Sequence, residues 1–249
     1  MSGHSKWATT KRQKFATDAK RSAVFTKLAN MITVAVRTGG GGDPEMNFKL
    51  RLAVDKARSA SMPKENIERS IKRGLGEGGG ANIEEIIYEG LLPLSSVSGA
   101  GAAFVLETLT DNRNRAISDI RVAFTKYGGR MVNSGSVLYL FDQVGEIYVL
   151  KSSNQLPKDE LELIIIDSGA EDYQEDDEGY LVYTHVSDLQ KTRLCMEQAG
   201  LKVEAAEISY KPKMEIQVSA DDQLKIEKLM EALDDIGDVN QMHTNILLK

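Results

Sequence analysis

The sequence predicts an α+β multidomain protein, with an all-helical N-terminal domain followed by two ferredoxin-like α+β domains, one inserted in the other. Three observations carry this. Apolar residues recur at helical spacing as far as residue 75, where a glycine-rich run at 74–80 interrupts them. Beyond it, strand-like and helix-like segments alternate, and between residues 135 and 210 they come in the order β-α-β-β-α-β. Charge changes sign at the same place. The first 75 residues hold nine Lys and seven Arg against three Asp and three Glu, a surplus of ten positive charges. The whole chain has 31 bases and 37 acids, so the remainder holds 15 against 31, an excess of sixteen negative charges.

Residues 18–37 form the first expected helix, with Phe25, Leu28, Ile32, Ala35 and Val36 on one face and Lys20, Arg21 and Lys27 off it. Thr38 and the glycines at 39–42 end it. Asp43 then Pro44 reads as an N-cap and first helical position, opening a second helix whose apolar face is Met46, Leu50, Ala53, Val54 and Ala57. A third starts at Pro63, turns Ile67 and Ile71 inward and stops at Gly74. In the α+β part, AAFVLETLT (102–110) is an expected strand, 112–127 a helix stopped by Gly128 and Gly129, and 130–133 a short strand. GSVLYLF and GEIYVL suggest a bent strand or hairpin, and PKDELELIIIDSG a helix. EDYQED and YLVYTH form a hairpin turning at Asp177, Glu178 and Gly179. A helix near 187–199 and a strand through VEAAEISY complete the inserted unit, while strand 213–218, helix 221–235 and strand 238–247 complete the outer one. The expected domains are 1–75, 81–134 together with 211–249, and 135–210.

At 249 residues, with 41% hydrophobic and 27% charged residues, the chain can bury a sizeable core. No run approaches the roughly 20 apolar residues that span a bilayer. The start lacks the apolar segment of a secretory signal, and the single Cys195 has no intrachain partner, which fits a reducing compartment. A cytoplasmic protein without membrane association is expected.

The residues argue against an enzyme. GLGEGG (74–79) has the letters of the dinucleotide fingerprint, but that motif needs a strand before it and a helix opening within it, and here a helix precedes it. It reads as a linker. His4, His185 and His243 are scattered, none with Cys or His at metal-ligand spacing. Cys195, between Leu194 and Met196, reads as a buried thiol. The acids of EDYQEDDEG lack the order of a calcium loop and read as a solvated turn. No P-loop ending in Gly-Lys-Ser/Thr appears. No catalytic residue, metal or cofactor is expected.

Two features do carry chemistry. GHSKWATTKRQK (3–14) contains no acid, and with its continuation it supplies Lys6, Lys11, Arg12, Lys14, Lys20, Arg21 and Lys27, cations suited to phosphate binding through counterion release. Trp7 has two readings, stacking on an unpaired base or packing against the helical domain. LTDNRNR (109–115) lies where a strand meets a helix: Thr110 or Asp111 can cap the helix, and Arg113 and Arg115 then oppose its dipole. Either a bound anion such as phosphate or pairing with Asp111, Asp119 or other acids offsets that cost.

In this order, GHSKWA, DAKRSAVFTKL, MPKENIERSIKRG, YEG, LTDNRNR and GSVLYLF resemble the YebC/PmpR family, which includes the mitochondrial translational activator of cytochrome c oxidase. The resemblance runs from Gly3 to about Phe141 and continues more weakly to LMEALDDIGDVNQMHTNI. It implies a crescent-like molecule of three domains and a cytoplasmic nucleic-acid-binding protein without catalysis. Members are described as probable DNA-binding transcriptional regulators, others as ribosome-associated factors that relieve stalling. The residues it carries over are His4, Ser5, Lys6, Trp7, Lys20, Arg21 and Asp111 through Arg115. Two departures stand out: YEGLLPLSSVSGAGAA replaces the family's YEGYGPGG, and IGDV alters an aspartate pair.

The expected function is a non-enzymatic translation factor that binds ribosomal or transfer RNA and the ribosome and relieves stalling. The alternatives are a DNA-binding transcriptional regulator acting at promoter DNA and a protein-interaction adaptor. No heptad repeat or twofold device appears, so a monomer is expected.

Overall fold

The structure, a computed structural model, describes residues 18–77, 82–96 and 101–247, with side chains from Arg21 onward. Helices α1 (Asp18–Thr38), α2 (Phe48–Ser59) and α3 (Lys64–Gly74) form the first layer. Leu28, Ile32, Ala35 and Val36 of α1 pack with Leu50, Ala53, Val54 and Ala57 of α2 and Ile67 of α3. Gly74 is a point of close approach rather than a stop: a Cβ there would lie 2.6 Å from Val36 Cβ and 2.9 Å from the Thr33 carbonyl. The chain turns two residues later, at Gly76, whose φ is 87°.

The start of α2 differs from expectation. Asp43 closes a turn by accepting from the Glu45 amide, and the N-cap is Asn47. Its Oδ1 accepts from the Leu50 amide at 3.0 Å while its Nδ2 donates to the carbonyls of Ala35 and Gly41, so one buried side chain starts α2 and finishes α1. Met46 is left 82% exposed, outside the apolar face.

Two four-stranded antiparallel sheets follow. The second is the one the sequence describes well. Strands β4 (Phe141–Leu150), β5 (Asp172–Glu175), β6 (Gly179–Thr184) and β7 (Ala205–Pro212) align in the order β5-β6-β4-β7. Helices α5 (Lys158–Asp167) and α6 (Leu189–Gln198) cover one face through Leu161, Ile165, Leu189 and Met196. Leu52 of α2 enters the same core. GSVLYLF and GEIYVL turn out to be a short 3₁₀ turn (Leu138–Leu140) leading into a single long strand.

The first sheet has strand order β3-β1-β2-β8, from β1 (Glu84–Pro93), β2 (Gly101–Thr110), β3 (Arg130–Val132) and β8 (Val239–Thr244). Helices α4 (Arg113–Lys126) and α7 (Ala220–Asp234) cover it. Two expectations change. A strand at 84–93 was not foreseen, and it takes the slot between β2 and β3. The segment expected as strand 213–218 makes a single bridge, Ile216 to Ile246, with Met214 78% exposed. Both sheets nevertheless share the ferredoxin-like spatial order, although β1 of the first sheet comes first in the chain, whereas its spatial equivalent in the second, β6, comes third among its strands. Gly90 of β1 makes room for Phe124 of α4, since a Cβ would meet that ring, and Phe124 in turn meets Phe104 edge-on at 5.6 Å.

Polar groups fix this sheet's connections. Glu89, 2% exposed, accepts from the amides of Gly135, Val137 and Leu138. Asp222 accepts from the amides and hydroxyls of Ser95 and Ser96, clasping the β1–β2 connection to the start of α7. Asn245 Oδ1 accepts from the Ala103 amide.

Candidate nucleic-acid interface

His4, Ser5, Lys6, Trp7, Lys11, Arg12 and Lys14 lie outside the described residues, as does the side chain of Lys20, which falls in the first turn of α1. Arg21 is exposed on α1. Lys27 turns inward: its side chain is 11% exposed and Nζ reaches the Asp234 carbonyl at 2.5 Å and Oδ1 at 3.4 Å. It therefore ties α1 to the end of α7. Lys56 and Arg193 serve alike, pairing with Glu207 at 2.5 Å and with Asp55 at 2.7 Å across the helical layer and the second sheet.

Arg21, Arg37, Lys49, Arg69 and Lys72 are exposed and make no ion pair among the described residues, Arg37 donating only to the neutral Asn82 Oδ1. These are the helical cations open to a polyanion, because a carboxylate-bound cation must give up that partner first.

At the β2–α4 junction the N-cap is Asn112, whose Oδ1 accepts from the amides of Asn114 and Arg115; Thr110 Oγ1 accepts from the Asn112 amide instead of capping the helix. Arg113 reaches Glu84 through Nε at 2.6 Å and stays 70% exposed. Arg115 makes a two-pronged contact with Asp238, Nε to Oδ2 at 3.0 Å and Nη2 to Oδ1 at 2.7 Å, and its Nη2 also meets Asp111 at 2.8 Å. Hydrogen bonds from Asp238 and then Asp111 raise the guanidinium pKa further above its ordinary value. The dipole cost at this helix start is thus offset by acids of the chain itself, as one of the two sequence readings allowed. Asp238 lies 123 residues from Arg115, so only its position in IGDV marked it in the sequence.

One arrangement went unforeseen. His243, fully buried, sets Nε2 2.7 Å from Glu107 Oε1 and Nδ1 3.4 Å from Ser209 Oγ. The residue types match a hydrolytic triad, yet Ser209 is 1% exposed and so closed to a substrate. The Tyr210 amide also points at Nδ1, so Nδ1 accepts and Nε2 carries the proton toward Glu107. The imidazole latches β8 and β2 to β7. Cys195 is half-buried on α6 rather than buried.

Among the described residues, no group of three His, Cys, Asp or Glu is placed to hold a metal, and no helix is long and apolar enough to cross a membrane.

Residues 5–77 match the family model described as the TACO1/YebC protein N-terminal domain, and residues 83–246 match the TACO1/YebC second and third domain. A probable transcriptional regulatory protein of Roseiflexus castenholzii is 47% identical over 99% of this chain and 95% of its own. One from Thermoanaerobacter pseudethanolicus is 44% identical over 99% and 97%. Among solved structures, a conserved hypothetical protein from Aquifex aeolicus superimposes with a TM-score of 0.83 at 40% identity, covering 93% of this chain and 92% of that one.

Proposed function

The chain belongs to the TACO1/YebC family, and on that premise we propose that it is a non-enzymatic, nucleic-acid-binding regulator of gene expression, acting as a cytoplasmic monomer. We retain 1–75, 81–134 with 211–249, and 135–210 as its domains. The observation that carries the proposal is the separation of charge: ten surplus positive charges in the first 75 residues against sixteen surplus negative ones in the rest. A basic end supplies sequence-independent phosphate affinity, and an acidic remainder limits indiscriminate binding.

A transcriptional role, with promoter DNA as partner, has the support of the relatives' names. The expected translational role, on ribosomal or transfer RNA, lacks that support. One observation favours it as a second reading: the open side chains of the helical layer are Lys and Arg, and most contacts of such residues go to phosphate and position the protein without specifying sequence.

Fluorescence anisotropy against duplex DNA and structured RNA over a salt series tests the proposal. Replacing Lys6, Lys11, Arg12 and Lys14 by Ala is expected to reduce the salt slope by up to about 3.6 on duplex DNA or about 2.8 on single strands, with thermal unfolding unchanged. No salt-sensitive binding to any nucleic acid refutes it. Crosslinking and sequencing from cells separates the two roles: promoter DNA supports transcription, ribosomal and transfer RNA support translation.

A further inference from the structure

A cleft of about 520 Å³ opens where α1, α3, the end of β2 and the first turns of α4 meet, within the size range of small-ligand sites. Its floor is apolar, from Ile83 and Leu109, which are 9% and 6% exposed. Its walls carry charge of an unusual kind.

Arg115 is there, but two carboxylates neutralise it. Arg73 differs. Its Nε donates to Thr33 Oγ1 at 3.1 Å and its Nη2 to Asn30 Oδ1 at 3.0 Å, so the guanidinium is held in place by neutral oxygens and pairs with no carboxylate among the described residues. Asp119, one turn beyond Arg115 on α4, is exposed and makes no hydrogen bond or ion pair among the described residues. One cleft thus combines an apolar floor, an oriented cation without a counter-ion and a carboxylate without a donor.

A nucleotide has the complementary groups: a flat face, an anionic phosphate and an edge of N–H donors. The edge distinguishes the bases. Guanine presents N1–H and the N2 amino group side by side, a pair that one carboxylate accepts together. Uracil presents a single N3–H between two carbonyl oxygens, which repel a carboxylate. A base stacked and paired in a duplex cannot enter a concave site, so the nucleotide must be unpaired.

We propose that this cleft binds the guanine of an unpaired nucleotide, with Asp119 accepting from the base edge and Arg73 meeting the phosphate. The proposal rests on the nucleic-acid function above and adds which base is read and in what state.

The test is titration of the full-length protein with 5′-GMP and 5′-UMP, followed by NMR or calorimetry, beside anisotropy with single-stranded RNA containing either G or only U. GMP is expected to bind at least tenfold more tightly than UMP. Asp119→Asn, at an exposed position, is expected to lose that preference while the salt slope on RNA stays unchanged. Thr26→Trp, which fills the cleft from α1 and leaves both charges in place, is expected to weaken both nucleotides at least tenfold. Equal binding of GMP and UMP, or a GMP preference that survives in Asp119→Asn, overturns the cleft assignment and leaves nucleic-acid binding standing. Absence of RNA and DNA binding at every salt concentration overturns the function instead, and the GMP titration still decides the cleft.

Discussion

The two sheets have the same spatial strand order, yet they are held differently. The second is built from one uninterrupted stretch, 141–212, and its neighbouring strands β5 and β6 are joined by a tight hairpin. The first is assembled from 84–132 and 239–244, and every long connection in it is pinned by a buried or half-buried polar group: Glu89, Asp222, Asn245, or Asp238 with Arg115. Where a tight turn joins two strands, as between β5 and β6, turn geometry sets the register. Where distant segments pair, specific acceptors have to find specific backbone amides.

The strongest way to break this comparison is to remove one anchor from each sheet. Glu89→Ala leaves three amides without their acceptor in a buried site and is expected to cost about 3 kcal/mol in urea unfolding. Asn154→Ala is the counterpart in the second sheet, removing a neutral side chain that bonds Leu150 and Lys202, and is expected to cost about 1 kcal/mol. Equal losses would show that the two sheets depend on their anchors alike.

Acid unfolding sharpens the contrast at intermediate size. Hydrogen bonds from Ser96 and Ser95 hold the Asp222 carboxyl down to about 2. The folded state therefore takes up that proton less readily than the unfolded chain. The stability this clasp contributes is complete above the ordinary aspartate range and is lost as pH falls toward about 2. Asp222→Asn is expected to flatten the acid limb of a stability–pH curve, with a smaller change at neutral pH. An acid limb identical to that of the unmodified protein would remove Asp222 from the account.

The smallest effect belongs to the second sheet's surface. Lys151 and Lys158 hold Glu175, lowering its pKa to about 2, but the group is open to solvent. Lys158→Ala is expected to leave urea unfolding within measurement error at physiological salt, as exposed pairs usually do. A clear loss there would mean that the second sheet also relies on charge.

How far the sequence was legible follows the same division. The order β-α-β-β-α-β is visible along the chain because all its parts are local. The first sheet was misread at β1, where EEIIYEGLLP mixes acids, glycine and apolar residues because much of the strand is only half-buried. MEIQVS alternates like a strand, but β1 had already taken the sheet position it would need. Helix α2 was placed four residues early because Asp43 and Pro44 carry a local start signal, whereas Asn47 is made the cap by its bonds to Ala35 and Gly41. At the site, the sequence singled out Arg113 and Arg115 and left their partners open. Arg73 had no local mark and Asp119 was marked only as a partner for those arginines, which pair with Glu84, Asp111 and Asp238 instead; what distinguishes both is the absence of a counter-charge among the described residues.

The late arrival of β8 also has a consequence in time. During synthesis, β1, β2 and β3 are complete by residue 132, but the outer edge of β2 receives its partner only when 239–244 has emerged. The second sheet, finished at 212, can form in the interval. For about a hundred residues of elongation, at roughly 5–20 residues per second, the apolar strand AAFVLETLT therefore stands as an open template. Truncation anywhere between β7 and β8 would leave the nascent protein with one finished sheet and one exposed, adhesive edge.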